Sequence, residues 1–218
     1  METSLPEKNT ITSYHQAREH GQELLRRNVV EAASRLLVEE GPDALTVRRV
    51  AEQLGSSTKV IYTMFKGKEG LADALYVEGC LRLGQAVGRV QKAEGPAAYV
   101  HEVAWAYWTF ALANPSYYMV MFGGAIPNFH PSTTSIDTTM TALETIVRTI
   151  QAYMEQNLLP PDDPVTVTKS LWAPLHGIVS LYLLGHFSSL EEAKDVFERS
   201  TQALILLLTI RRADRQPS

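Results

Sequence analysis

An all-α chain of about nine helices is predicted, on three observations. Apolar residues recur at three- and four-residue steps along most of the 218 residues. No segment alternates apolar and polar residues as a half-buried strand does. Gly, Pro and capping residues interrupt the pattern at intervals suited to helix ends. Leu24, Leu25, Val29, Ala32, Ala33, Leu36 and Leu37 share one face of a first helix over residues 21–40. Residues 1–20 lack such a stripe and are expected to form a flexible tail. Gly41-Pro42 ends the helix, because Gly tolerates the left-handed cap and Pro cannot continue the ladder. Thr46 can N-cap a short second helix carrying Val47, Val50, Ala51 and Leu54, which stops at Gly55. Ser56 or Ser57 caps a third helix to about Met64, with Val60, Ile61 and Phe65 inward. Lys66-Gly67 breaks the chain before a long helix from Lys68 to about Gln91. Further helices are expected over residues 97–113, 115–122, 136–156, 164–187 and 190–211, with a kink or break at Pro174. Residues 123–135 form the one long non-periodic connection, the kind of loop that is often functional. The domains follow as a tail over 1–20, a small domain over 21–67, a larger one over 68–211 and a polar tail over 212–218.

Composition narrows the classes. With 45% hydrophobic and 20% charged residues the chain has the make-up of a globular protein rather than a disordered one. A single cysteine, Cys80, excludes an intramolecular disulfide framework and a cysteine-rich zinc module. The longest apolar runs, 178–184 and 203–210, fall short of the ~20 residues that span a bilayer, and no signal-peptide pattern opens the sequence. A cytoplasmic protein with no membrane partner is expected. No GxSxG, Walker, GxGxxG or HExxH pattern is present, and no His pair has metal-ligand spacing. Asp162-Asp163 suits a helix N-cap better than a metal. The chain is therefore read as a non-enzyme without metal or cofactor.

Charge is uneven. The net charge is −4, yet residues 1–70 hold ten Lys/Arg and ten Asp/Glu, so the excess acid lies beyond them. Between Thr46 and Lys68, Arg48, Arg49, Lys59, Lys66 and Lys68 face the single acid Glu52. A basic patch on an acidic body suits one face turned to phosphate, although a solvated helical face gives the same pattern. Two short helices about Gly55, with small Ala51 where they cross, make a helix-turn-helix. Packing Val60, Ile61 and Phe65 inward leaves Ser57, Thr58, Lys59, Tyr62 and Thr63 outward, a polar and basic set suited to a major groove ~12 Å wide.

The run TVRRVAEQLGSSTKVIYTMFKGKEGL (46–71) resembles the DNA-binding domain of the tetracycline-repressor (TetR) family. Thr46, Ala51, Leu54-Gly55, Ser57, Tyr62, Phe65 and Lys68-Glu69 carry the resemblance, which covers about residues 26–75. It implies phosphate contacts from Thr46, Tyr62 and Lys68, and a base contact from Arg48, whose guanidinium can grip a guanine. It also turns Ser57, Thr58, Lys59 and Thr63 to the groove. Lys59 stands where a small residue is usual and Met64 where an aromatic or His is common, so operator preference does not carry over from a relative.

The remainder resembles the family's ligand-binding and dimerisation domain. LWAPLHGIVSLYLLGHF (171–187) and YWTFALANPSYYMVMFGG (107–124) are similar to a subgroup with a Trp…His-Gly signature. Seven of the eighteen aromatics lie between Trp105 and Phe122. They read either as ordinary core or as a cavity lined by aromatics with Met119, Met121, Met140 and Met154. Candidate ligand contacts are Trp105, Trp108, Tyr118, Phe122, Trp172 and His176, with Tyr107 and Phe110 turned elsewhere. His176, four residues after Trp172, can be a ligand contact or a structural hydrogen-bonding group. Stripes at Leu171, Leu175, Ile178, Val179 and Tyr182, and at Val196, Phe197, Ala203, Leu204 and Leu207, suggest a homodimer through four helices. The expected function is a dimeric repressor of a palindromic double-stranded operator, released by a small apolar or aromatic effector. A DNA-binding regulator or architectural protein without an effector stays open, as does an enzyme using the cavity.

Overall fold

The computed structural model describes residues 13–90, 94–124, 126 and 128–209. Among these the regular structure is nine α-helices and one 3-10 turn, and the all-α expectation holds. The chain divides after Leu71 into two compact units.

In the first unit, α1 (Tyr14–Glu40) is joined by the 3-10 turn Pro42–Ala44 to α2 (Val47–Gln53) and α3 (Thr58–Phe65). Helix α1 starts seven residues before the start read from periodicity, so residues 14–20 are helix, not tail. The reason is physical: residues 13–28 are exposed and need no apolar stripe. Local terms hold this stretch instead. The Ser13 hydroxyl accepts from Gln16 N at 3.3 Å, and Glu23 pairs with Arg27 at 3.6 Å. The core comes from the C-terminal half of α1 (Val29, Ala32, Ala33, Leu36, Leu37), which meets Val50 and Ala51 of α2 and Ile61 and Phe65 of α3, all buried. Thr46 caps α2, its hydroxyl oxygen accepting from Arg49 N at 3.2 Å. Gly55 turns between the helices at φ 59°, where a side chain would be strained.

Helix α4 (Lys68–Gly88) begins in the first unit and continues through the second. The second unit adds α5 (Pro96–Ala113), α6 (Pro115–Phe122), α7 (Thr133–Glu155), α8 (Pro164–Leu183) and α9 (Leu190–Thr209). Helix α7 begins three residues before its expected start. The Ser132 hydroxyl caps it, accepting from Ser135 N at 3.1 Å. The Asp73 carboxylate on α4 accepts from Ser132 N at 2.9 Å and from the Ser135 hydroxyl at 2.5 Å, which fixes the end of the long connection. Asp163 is the N-cap of α8, accepting from Thr166 N at 2.9 Å. Helix α8 runs through Pro174 without a break and stops at Leu183, short of residue 187. Pro174 and Ser170, whose carbonyl loses its amide partner to the proline, are both exposed, so water can satisfy that oxygen. Gly185, at φ 79°, turns the chain toward α9. Helix α4 stops at Gly88, short of the expected end near residue 91; the expected end of the last helix at 210–211, most of the N-terminal tail and the C-terminal tail lie outside the described residues.

Candidate nucleic-acid interface and ligand cavity

In the first unit, α3 presents Thr58, Lys59, Tyr62 and Thr63 to solvent, with Ser57 exposed at its N-cap. Thr46 and Arg48 stand at the start of α2, and Lys68 at the start of α4. All eight candidate DNA contacts are therefore accessible or half-buried. Thr46 uses an oxygen lone pair as the cap and keeps its O–H to donate. Arg48 Nε donates to Glu52 at 2.9 Å, an i,i+4 pair so exposed that a base or phosphate can displace the carboxylate at little cost. Arg49 is paired with Glu40 across the unit. Gly67 sits beside the ring of Tyr62: a Cβ there would lie 3.4 Å from its Cε1. The close approach steadies the ring while leaving its hydroxyl outward. Periodicity missed one neighbour, an open groove between α3 and the N-terminal half of α1. Glu19, Glu23 and Arg26 line it together with Lys59 and Thr63. Acids beside Lys59 moderate the basic patch, and no sequence signal reports that proximity.

The second unit encloses a cavity of about 200 Å³. Tyr76, Cys80, Leu83 and Val87 of α4 form one wall, and α5, α6, α7 and α8 supply the others. Phe122 and Trp172 line it as expected, as do Met121 and Met140. Trp105 and Trp108 do not. Trp108 packs on Phe197 with ring centroids 4.7 Å apart, and Trp105 meets the same ring at 5.5 Å, so both face α9. The Trp105 indole donates to Glu198 at 2.9 Å, and His101 Nε2 lies 3.1 Å from the same carboxylate. Burial would raise the Glu198 carboxyl, but hydrogen bonds from Trp105, Gln202 and His101 hold it below its usual range. Tyr107, expected to turn elsewhere, lines the cavity in their place. The face of α5 was misread because both sides of this helix are buried, and periodicity cannot tell core from cavity wall.

His176 and Tyr118 sit behind that wall in a hydrogen-bonded cluster. The Tyr118 hydroxyl is 2.6 Å from His176 Nδ1 and 2.9 Å from the Tyr107 hydroxyl. Burial lowers the His176 pKa and favours the neutral ring, and the Tyr118 hydroxyl also reaches the His176 carbonyl oxygen at 3.2 Å. Burial likewise pushes both tyrosines above their ordinary value. The His176 ring stacks on Tyr118 and meets Phe122 and Trp172 at 5.1 and 5.2 Å between centroids. Of this hydrogen-bonded cluster only Tyr107 lines the cavity, and Tyr118 and His176 support it from behind. Among the described residues no group of three His, Cys, Asp or Glu could hold a metal ion.

The stripes proposed for self-association divide. Leu175, Ile178, Val179 and Phe197 are buried within the chain and belong to its own core. Ala203 and Leu207 of the second stripe stay exposed, and beside them Leu181, Leu184 and Leu206, which the stripes did not include, are exposed too, Leu206 at 60% and Leu207 at 71%. Among the described residues no helix is long and apolar enough to cross a membrane.

Residues 29–75 match the family model described as bacterial regulatory proteins, tetR family, and residues 100–204 match one described as tetracyclin repressor-like, C-terminal domain. An HTH-type transcriptional regulator of Mycobacterium tuberculosis is 23% identical over 88% of this chain and 95% of its own length. The Escherichia coli tetracycline repressor protein class D is 46% identical over 55 residues, a quarter of either chain. Among solved structures, a protein of unknown function from Rhodococcus sp. RHA1 superposes with a TM-score of 0.72 at 24% identity, covering 85% of this chain and 96% of that one. A TetR variant from Acinetobacter baumannii in complex with minocycline does so at 0.60 and 22% identity, over 82% and 92%.

Proposed function

The chain belongs to the tetR family of bacterial regulatory proteins and is a DNA-binding transcriptional regulator; from that premise we propose that it is a dimeric repressor released from a palindromic operator by a small effector in the second-unit cavity. One observation carries the effector reading. Helix α4 starts at Lys68, a candidate phosphate contact, and its own side chains wall the cavity. A ligand that shifts the body of α4 shifts its first turn as well. The ligand does so only by binding the DNA-incompetent state more tightly, and a ~100-fold preference supplies ~2.7 kcal/mol. In this reading Thr46, Tyr62 and Lys68 hold phosphates, Arg48 reads a base, and Ser57, Thr58, Lys59 and Thr63 face base edges. Trp172, His176 and Gly177 support a C-terminal domain of the Trp…His-Gly subgroup. The minocycline complex of the Acinetobacter neighbour supports the reading that this chain takes a small-molecule effector.

Selection of bound sequences from random duplexes, by the purified protein at stated salt, tests the DNA half. A palindrome with half-site centres ~34–36 Å apart is expected. Binding that selects no sequence and depends only on salt would overturn it. Tyr62→Phe and Lys68→Ala should weaken all duplexes alike, Lys68→Ala should also reduce the salt slope, and Arg48→Ala should relax preference at one base position.

A further inference from the structure

The cavity is apolar except at one edge. Thr168 and Lys169, early in α8, reach it there, and among the described lining residues Lys169 carries the only charge. Lys169 and Met140 are also the only described lining residues that are exposed, so they mark the mouth, between α7 and α8. Tyr99, Val100, Ala104 and Ile150 are buried and mark its depth. Lys169 makes no ion pair among the described residues. The carboxylate that feels its charge, Asp163, is occupied capping α8 through Thr166. The Thr168 hydroxyl donates to the Pro164 carbonyl at 2.8 Å, which leaves the ammonium as the donor at the mouth.

Size sets a second limit. An engineered cavity of about 150 Å³ accepts benzene, so the 200 Å³ here holds an apolar body of roughly eight non-hydrogen atoms. A dianion or a sugar would bring polar groups that the apolar wall cannot satisfy, and an amine would meet Lys169 as a like charge. We propose that the effector is a small amphipathic monocarboxylate, straight-chain or monoaromatic, with its apolar body in the cavity and its carboxylate on Lys169. This deepens the effector reading above and rests on it.

Calorimetric titration of the full chain with sodium octanoate, 1-octanol and octylamine tests the assignment. Octanoate should bind, and octylamine should bind more weakly than either other probe. Lys169→Gln should weaken octanoate three- to fivefold, the size of an exposed ion pair, and leave 1-octanol unchanged. Raising salt should produce the same loss in the natural chain and no loss in the variant. Ala104→Phe, with Val103→Phe as a second cavity-filling variant should the first fail to fold, should remove binding of all three probes. Equal octanoate affinity in the natural chain and Lys169→Gln, with cavity-filling still effective, would overturn the carboxylate assignment and leave the cavity as the effector site. Octanoate binding untouched by a folded cavity-filling variant would overturn both. No octanoate binding at all would also overturn the carboxylate assignment.

Discussion

A methyl group added at Gly70 would lie 1.8 Å from the carbonyl oxygen of Phe65, so the start of α4 can approach the end of α3 only without a side chain. Gly70→Ala forces the backbone to move and should cost more than about 3 kcal/mol in denaturant unfolding of the full chain. Gly79→Ala meets mainly the Met121 thioether, at 2.7 Å, and this flexible side chain can step aside, so a loss below about 1.5 kcal/mol is expected. His176 adds a pH dependence with a definite sign. Burial lowers its folded pKa below the unfolded value of about 6.5. Between the two values the unfolded chain binds more protons, so stability is complete above about 6.5 and is lost as pH falls toward the folded pKa. Thermal melts of His176→Gln should lose that acid-side slope. These residues show where reading the sequence stops. Trp172 stood out through the Trp…His-Gly resemblance and Phe122 through the aromatic-rich run, and both line the cavity. Tyr107 was not, nor was the diversion of Trp105 and Trp108 toward Phe197, because a helix buried on both sides gives no preferred face. Gly70 lay unremarked in a familiar run, since its constraint is a backbone contact without any side-chain signature.

Among the elements, helix order and most boundaries were legible because Gly41, Gly55, Gly95 and the caps Thr46 and Asp163 act locally. The start of α1 was not, because its first four turns bury nothing and leave no stripe. Equally hidden was the tie between α4 and α7, which depends on Asp73 and Ser132 meeting across 59 residues of sequence. That tie has an energetic role. The Asp73 carboxylate accepts from one backbone amide and two hydroxyls, and through them holds the first turn of α7. Helix α7 contributes Met140, Leu143, Ile146 and Ile150 to the cavity wall. Asp73→Ala takes the acceptor from the buried Ser135 hydroxyl and from the exposed Ser132 donors, and should lower stability by about 1–3 kcal/mol. Hydrogen exchange in the first turn of α7 should quicken by a larger factor than exchange in α9. Equal protection in natural and variant chains would show that the cap Ser132 alone secures that turn.

For the whole molecule the open question is what covers the apolar end of α9. Leu206 and Leu207 are exposed while Leu204, Ile205 and Leu208 are only partly covered, so the helix is apolar on faces the chain leaves open. With Leu181 of α8 and its C-cap Leu184 they form an exposed apolar set of the kind that marks an association site. A stable interface removes ~800 Å² per partner, which two helices from each copy can provide. A two-fold pairing puts the same residues on both sides, so a single charge is introduced twice and meets its own copy. Leu207→Glu should therefore give a monomer by sedimentation at micromolar concentration. Leu207 is 71% exposed in the single chain, so the variant should keep its helical circular dichroism and its cavity binding. In the dimeric reading proposed above, loss of pairing also removes the second DNA-binding head from the same operator. Affinity for the full palindrome should then fall by about 10²–10⁴-fold, while affinity for an isolated half-site should stay unchanged. A dimer that survives Leu207→Glu with undiminished palindrome binding would place the two-fold axis on another surface.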